Sequence, residues 1–234
     1  MQGLKRPHTT IVLAISADGK IADAQRSPPR FGSPADKAHL ESQVAQADGV
    51  LFGAATLRAG GTAMKVVNPD LIQRRLDQGK PPQPVQIVCS GSAKIDPQLR
   101  FFRQVVPRWL LTTAAGAVSW QERPEFEQVL VISEENSANP AENQDDWIPV
   151  FEQLAELGLQ RLAILGGGEL IASLLAVDLV DELWLTICPL LLGGANAPTP
   201  VDGVGFAAEF APRLELLSAQ PIEQEVFLHY RLKH

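Results

Sequence analysis

Apolar residues in this chain gather into short unbroken runs, and the segments between them are spaced like amphipathic helices. HTTIVLAI (8–15), GVLFG (49–53), PVQIVCSG (84–91), PRWLLTT (107–113), QVLVIS (128–133), RLAIL (161–165) and DELWLTICP (181–189) read as strands, most of them buried on both faces. SPADKAHLESQVAQA (33–47) starts as a helix, with Ser33 as N-cap, Pro34 at the first helical position and Asp36 in the first turn. Leu40, Val44 and Ala47 form its apolar stripe. Further helices are expected in AATLRAGG (54–61), NPDLIQRRLDQG (68–79), AAGAVSW (114–120), WIPVFEQLAELG (147–158) and ELIASLLAV (169–177). EENSANPAENQDD (134–146) is apolar-poor and reads as an exposed loop. RLELLSA (213–219) and EQEVFLHYRLK (223–233) close the chain as an antiparallel pair at a sheet edge.

Strands alternate with helices to about residue 188, and two strands then follow alone. That order predicts an α/β fold with a mainly parallel central sheet and antiparallel C-terminal edge strands. No linker or internal repeat interrupts it, so residues 1–234 read as a single domain.

Composition narrows the function. The chain has 234 residues, 45% of them hydrophobic and 20% charged, ordinary for a globular enzyme. Its net charge of −7 disfavours a broad basic face for nucleic acid, while 20 lysines and arginines still allow a local anion pocket. Cys89 and Cys188 lie in apolar runs and read as reduced core thiols, without disulfide or metal spacing. The first apolar run is short and leads into a turn, so no leader and no membrane span are expected, and the chain is expected in the cytoplasm. His8, His39, His229 and His234 show no ligand spacing, and Trp109, Trp120, Trp147 and Trp184 fall at core-like or helix-flanking positions.

The break after RLAIL is the chemical signal. Gly166, Gly167 and Gly168 follow a buried strand and lead directly into a helix from Glu169. Ligands of open α/β sheets sit beyond the carboxyl ends of the strands. Glycines there bare backbone N–H groups at a positive helix end and admit a phosphate where a Cβ would intrude. A pyrophosphate cradle and a plain strand-to-helix turn both remain open on this ground. The P-loop and the GxGxxG fingerprint are absent, the first strand ending instead in ISADGK. SGSAK offers Ser90, Ser92 and Lys94, hydroxyls and a cation suited to a ribose 2′-phosphate, or else a solvated turn. Asp18 reads either as the turn residue of Asp18-Gly19 or as an acid that orients substrate or relays a proton.

TTIVLAISADGKIA, DGVLFGAATL and LAILGGGELIASLLAVDLVDELWLTICPLLLGG, followed by the closing strand pair, come in the order of the dihydrofolate-reductase-like three-layer fold. Over nearly the whole chain they resemble the riboflavin-biosynthesis pyrimidine reductases, the RibD C-terminal type, here without the zinc deaminase signature. The resemblance implies a stand-alone NADPH-dependent reductase of 5-amino-6-(5-phosphoribosylamino)uracil, which converts ribosyl to ribityl, and a homodimer. It places Ile15 beside the nicotinamide, Gly53 and Thr56 on the cofactor at a helix N-terminus, and Gly166, Gly167, Gly168, Glu169 and Leu170 around the pyrophosphate. It places Ser90 at the adenosine end, Ser16, Asp18, Lys20 and Ser33 on the substrate side, and Asp18 as the catalytic candidate. Of Lys20, Arg26, Arg30, Lys37, Arg58 and Lys65 around the substrate side, one or two are expected on the substrate phosphate and most read as surface charges.

The departures fall on the substrate side. Leu165 stands where the family usually has a glutamate before the glycines, and Gly60-Gly61-Thr62 stands in place of Asp-Asp-Pro. Val44 replaces an arginine of the first helix, and Arg30 a tryptophan before it. A reductase of another small molecule such as a pterin, or a non-catalytic nucleotide-binding homologue, is therefore the alternative.

Overall fold

A computed structural model describes residues 6–27, 31–133 and 146–233. Nine strands form one sheet: β1 (His8–Ser16), β2 (Gly49–Gly53), β3 (Val85–Cys89), β4 (Arg108–Thr113), β5 (Gln128–Ser133), β6 (Arg161–Ile164), β7 (Glu182–Cys188), β8 (Arg213–Ile222) and β9 (Glu225–Lys233). Their order is β5-β4-β3-β2-β6-β1-β7-β9-β8. Every pairing is parallel except β7 with β9 and β9 with β8, as the strand–helix order predicts.

The helices are α1 (Pro34–Gln46), α2 (Ala54–Gly60), α3 (Pro69–Asp77), α4 (Ala114–Ala117), α5 (Trp147–Glu156) and α6 (Gly168–Ala176), with a 3₁₀ turn at Arg100–Arg103 that the sequence pattern does not signal. Ser33 Oγ accepts from the Ala35 and Asp36 amides at 3.1 Å each, as a capping serine should. Strand residues alternate between two cores. Leu51, Ile87 and Leu111 pack with Phe151 and Leu154 of α5 and Ile171 and Leu174 of α6. Val50, Phe52, Val88 and Leu110 pack on the other face with Val44 of α1 and Leu57 of α2. The result is the expected three-layer arrangement.

Two expectations shift. The closing strand continues from Arg213 to Ile222, past the predicted end at Ala219, with a register shift between Leu216 and Ser218. It is exposed along almost its whole length, because β9 is its one neighbour in the sheet. The loop expected over 134–146 lies outside the described residues except Asp146, and so does Arg30. Among the described residues no helix is long and apolar enough to cross a membrane, and no group of His, Cys, Asp and Glu is arranged to hold a metal.

Candidate active site

The carboxyl ends of β1, β6, β2 and β3 lie side by side, and the expected cofactor residues line up along them. At the end of β6, Gly166 and Gly167 take φ of 120° and 102°, a region open to glycine and strained for other residues. They meet the end of β2, where the Gly53 amide donates to the Gly166 carbonyl at 3.2 Å. A Cβ on Gly167 would lie 3.6 Å from the Gly53 backbone, and one on Gly166 would lie 3.6 Å from the Thr56 hydroxyl. Gly53 caps α2, and α6 begins at Gly168, so two helix N-termini converge on one glycine-lined notch. Their amides and partial positive charge suit an anion such as a pyrophosphate.

Gly168 has a different neighbour. A Cβ there would collide with Asp202 Oδ2 and the Thr199 carbonyl, and the Asp202 amide donates to the Gly168 carbonyl at 3.1 Å. The 199–202 segment is thereby laid over the start of α6. Glu169 is exposed, whereas the Leu170 side chain is buried in the α5–α6 core, so Leu170 has only its backbone to offer a ligand.

Ser90 follows β3 and is nearly buried. Its turn is pinned from below: the Thr112 and Thr113 hydroxyls donate to the Gly91 carbonyl at 3.1 and 2.9 Å, and Trp120 Nε1 donates to the Ala93 carbonyl at 2.8 Å. Ser92 and Lys94 face outward from this rigid turn. From β1 to β3 is three strand spacings, about 14 Å, a span that suits an extended dinucleotide.

The substrate-side expectations change in kind. Ser16 Oγ donates to Asp18 at 2.6 Å and accepts the Lys20 amide at 2.9 Å, and Lys20 Nζ donates to the Ala197 carbonyl at 3.3 Å. Asp18 also accepts the Leu192 and Gly193 amides at 3.0 and 2.7 Å. The Ser16 bond and those two amides hold its carboxyl at about 2. Through these bonds Asp18 latches the loop after β7 to the end of β1. Ser33, besides capping α1, donates its amide and hydroxyl to Glu225 at 2.9 and 2.6 Å. Val44 is wholly buried, and Leu165 packs against the core on the α1 side.

Three polar groups had gone unnoticed in the sequence. Asp36, read there only as a first-turn charge, lies near the buried Thr186 of β7. Burial raises its carboxyl above the usual range, and the nearby Glu225 adds to the effect. Glu225 is itself buried near the Cys188 thiol, which burial first and Glu225 second push up to about 12. No local motif joins these residues; Ser33 and Glu225 are 192 positions apart.

Residues 7–228 match the RibD C-terminal domain. The chain belongs to that family. The 2,5-diamino-6-ribosylamino-4(3H)-pyrimidinone 5′-phosphate reductase of Archaeoglobus fulgidus is 29% identical over 203 residues, 86% of this chain and 89% of that protein. The protein of the same name from Methanothermobacter thermautotrophicus is 29% identical over 229 residues, 97% of this chain and 99% of its own. Among solved structures, a pyrimidine reductase-like protein from Corynebacterium diphtheriae superposes with a TM-score of 0.79 at 21% identity, covering 97% of this chain and 92% of that one. Dihydrofolate reductase from Enterococcus faecalis shares the fold at a TM-score of 0.52 and 12% identity, covering 97% of each chain. The chain is thus an oxidoreductase of the RibD C-terminal family, whose fold generally serves a nicotinamide cofactor.

Proposed function

We propose that this RibD C-terminal family chain, acting as a single domain, is an NADPH-dependent reductase that converts the ribosyl group of a ribosylaminopyrimidine 5′-phosphate to ribityl. The observation that carries this reading is the notch where Gly53 meets Gly166 and Gly167 between the N-termini of α2 and α6, because two helix N-termini and glycine backbone brought together suit the charge of a pyrophosphate. Gly53, Thr56, Gly166, Gly167 and Gly168, with the Glu169 and Leu170 amides, would hold the pyrophosphate, and Ile15 would border the nicotinamide. Ser90, Ser92 and Lys94 favour a 2′-phosphate at the adenosine end and hence NADPH over NADH.

When bound, the nicotinamide supplies a hydride. The acceptor is C1′ of the opened ribosylamine, a C=N carbon, and the neighbouring nitrogen takes a proton. This chain contributes position and exclusion of water: the Asp18 latch holds the loop after β7 against β1, and the 199–202 segment covers the start of α6.

The substrate is a small molecule, and neither nucleic acid nor membrane enters the reading. The place of action is the cytoplasm. Two copies associate through the exposed strand β8, where Leu214 and Leu216 are 42% and 54% accessible beside Leu232 and Tyr230 of β9.

Thermal-shift titration with NADPH and NADH, followed by NADPH oxidation at 340 nm with the ribosylaminopyrimidine phosphate, tests the reading. NADPH should stabilise the protein more than NADH and should be consumed. Gly167→Ala should weaken NADPH at least tenfold, about 1.4 kcal/mol. A wild-type protein indifferent to both nucleotides would overturn the proposal.

A further inference from the structure

The chain leaves β1 at Ser16 and enters α1 at Ser33, and both points are fastened to the β7–β9 side of the sheet. Near the first, Asp18 holds the Leu192 and Gly193 amides, and the Ile21 amide donates to the Pro198 carbonyl at 3.0 Å. At the second, Ser33 is held by Glu225. β9 runs antiparallel to β7, so its first residues lie at the carboxyl end of that strand. Val226 is the register partner of Ile187, which sets Glu225 beside Cys188, and Cys188 is the partner of Ser16. Glu225 thus stands in one row with the carboxyl ends of β1 and β7, where ligands of open α/β sheets sit.

Glu225 is 3% exposed, and among the described residues no lysine or arginine pairs with it. A buried carboxylate needs donors. Ser33 supplies one to each oxygen, its amide to Oε1 at 2.9 Å and its hydroxyl to Oε2 at 2.6 Å. The same hydroxyl accepts the Ala35 and Asp36 amides at 3.1 Å each. One hydroxyl therefore links the charge of β9 to the positive end of α1. A serine hydroxyl has a single proton, and here Glu225 takes it, so the Ser33 side chain has none to donate to a ligand.

We infer that Glu225 is a positioning residue: through Ser33 it fixes the first turn of α1 over the carboxyl ends of β1 and β7, and so sets how tightly substrate, rather than NADPH, is held. This inference rests on the proposed reductase function and deepens it. The strand order separates the two ligands. The glycine notch belongs to β2 and β6 on one side of β1, whereas Glu225 and Ser33 stand beyond β7 on the other. A shift of α1 there misplaces the substrate side and leaves the notch as it is. Because the carboxylate acts through a backbone amide and a capping hydroxyl, its effect lies in where the helix begins, and it need not touch the substrate.

The test measures kcat and KM for the ribosylaminopyrimidine 5′-phosphate at saturating NADPH, with NADPH affinity from thermal-shift titration. The variants are Glu225→Gln, Ser33→Ala, the two combined, and Ser33→Thr. Glu225→Gln and Ser33→Ala should each raise KM about tenfold, with kcat and NADPH affinity nearly unchanged. The combined variant should be no worse than the more affected single one, because both break the same link. Ser33→Thr keeps the hydroxyl and should restore KM. An undiminished NADPH thermal shift shows that a variant is folded, and if Glu225→Gln does not fold, the contrast of Ser33→Ala with Ser33→Thr decides. A lowered Tm with unchanged KM, additive losses in the combined variant, or an equal loss of NADPH affinity would overturn the role of Glu225 and leave the reductase function standing. A wild type that binds NADPH but does not oxidise it with this substrate would defeat the proposed function and this inference together.

Discussion

Asp18 shows how one residue type at one turn can be read in two ways. In the sequence, an acid after the first strand suits both a turn and a proton relay. In the structure, Ser16 and two amides from 174 and 175 positions away use its oxygens. Because the folded pKa, about 2, lies below the ordinary aspartate value of 3.8, the latch is fully present above pH 4 and fades as pH falls toward 2. Asp18→Asn should therefore accelerate hydrogen exchange at the Leu192 and Gly193 amides at pH 7, while those of the central strands stay protected. Unchanged exchange at the two amides would show that the carboxylate does not hold the loop. The glycines are the opposite case: the positive φ of Gly166 and Gly167 is a backbone freedom that their residue type displays directly in the sequence.

At the scale of elements, α1 is capped by Ser33 at one end and fastened by charge at the other. The Ala45 and Ala47 carbonyls at that end accept Arg75 Nη1 at 2.8 and 2.6 Å, and Arg75 Nε donates to the Pro81 carbonyl at 2.9 Å. Lys80 Nζ donates to the Gln46 carbonyl at 2.8 Å and pairs with Asp48 at the same distance. These donors satisfy carbonyls that a helix end leaves free, and their charge suits its negative pole. Arg75 is 1% exposed, so removing it strands buried acceptors. Arg75→Met should cost about 2–4 kcal/mol, lowering Tm by roughly 5–15 °C, whereas Lys80→Met should cost under about 1 kcal/mol. Thermal unfolding of both variants checks this; equal losses would show that burial does not set the cost. The helix itself was legible from Ser33, Pro34 and the Leu40–Val44 stripe, but Arg75 was not, because a surface helix pattern does not reveal which of its cations is buried.

At the scale of the molecule, the exposed β8 bears on assembly. A ten-residue edge strand with Leu214 and Leu216 uncovered is a surface that proteins usually pair or cover. Light scattering at micromolar concentration should give twice the 25.3 kDa chain mass, and Leu214→Lys with Leu216→Lys should return it to one chain. A monomeric wild type would rule this interface out.

The sequence by itself determined the strands, most helix limits and the glycine break after β6. Each is set by neighbours along the chain: apolar runs, caps, and the backbone freedom of Gly166 and Gly167. It also carried the family resemblance, because the motifs of the cofactor half are contiguous. Only the tertiary structure decided that β6 inserts between β2 and β1, that Asp18 faces the loop after β7, and that Asp36 meets Thr186 beside Glu225. Those contacts, like the Ser33–Glu225 bond across 192 positions, join segments far apart in the chain. Their energies depend on burial and on the order of strands in the sheet, neither of which any local stretch of residues encodes.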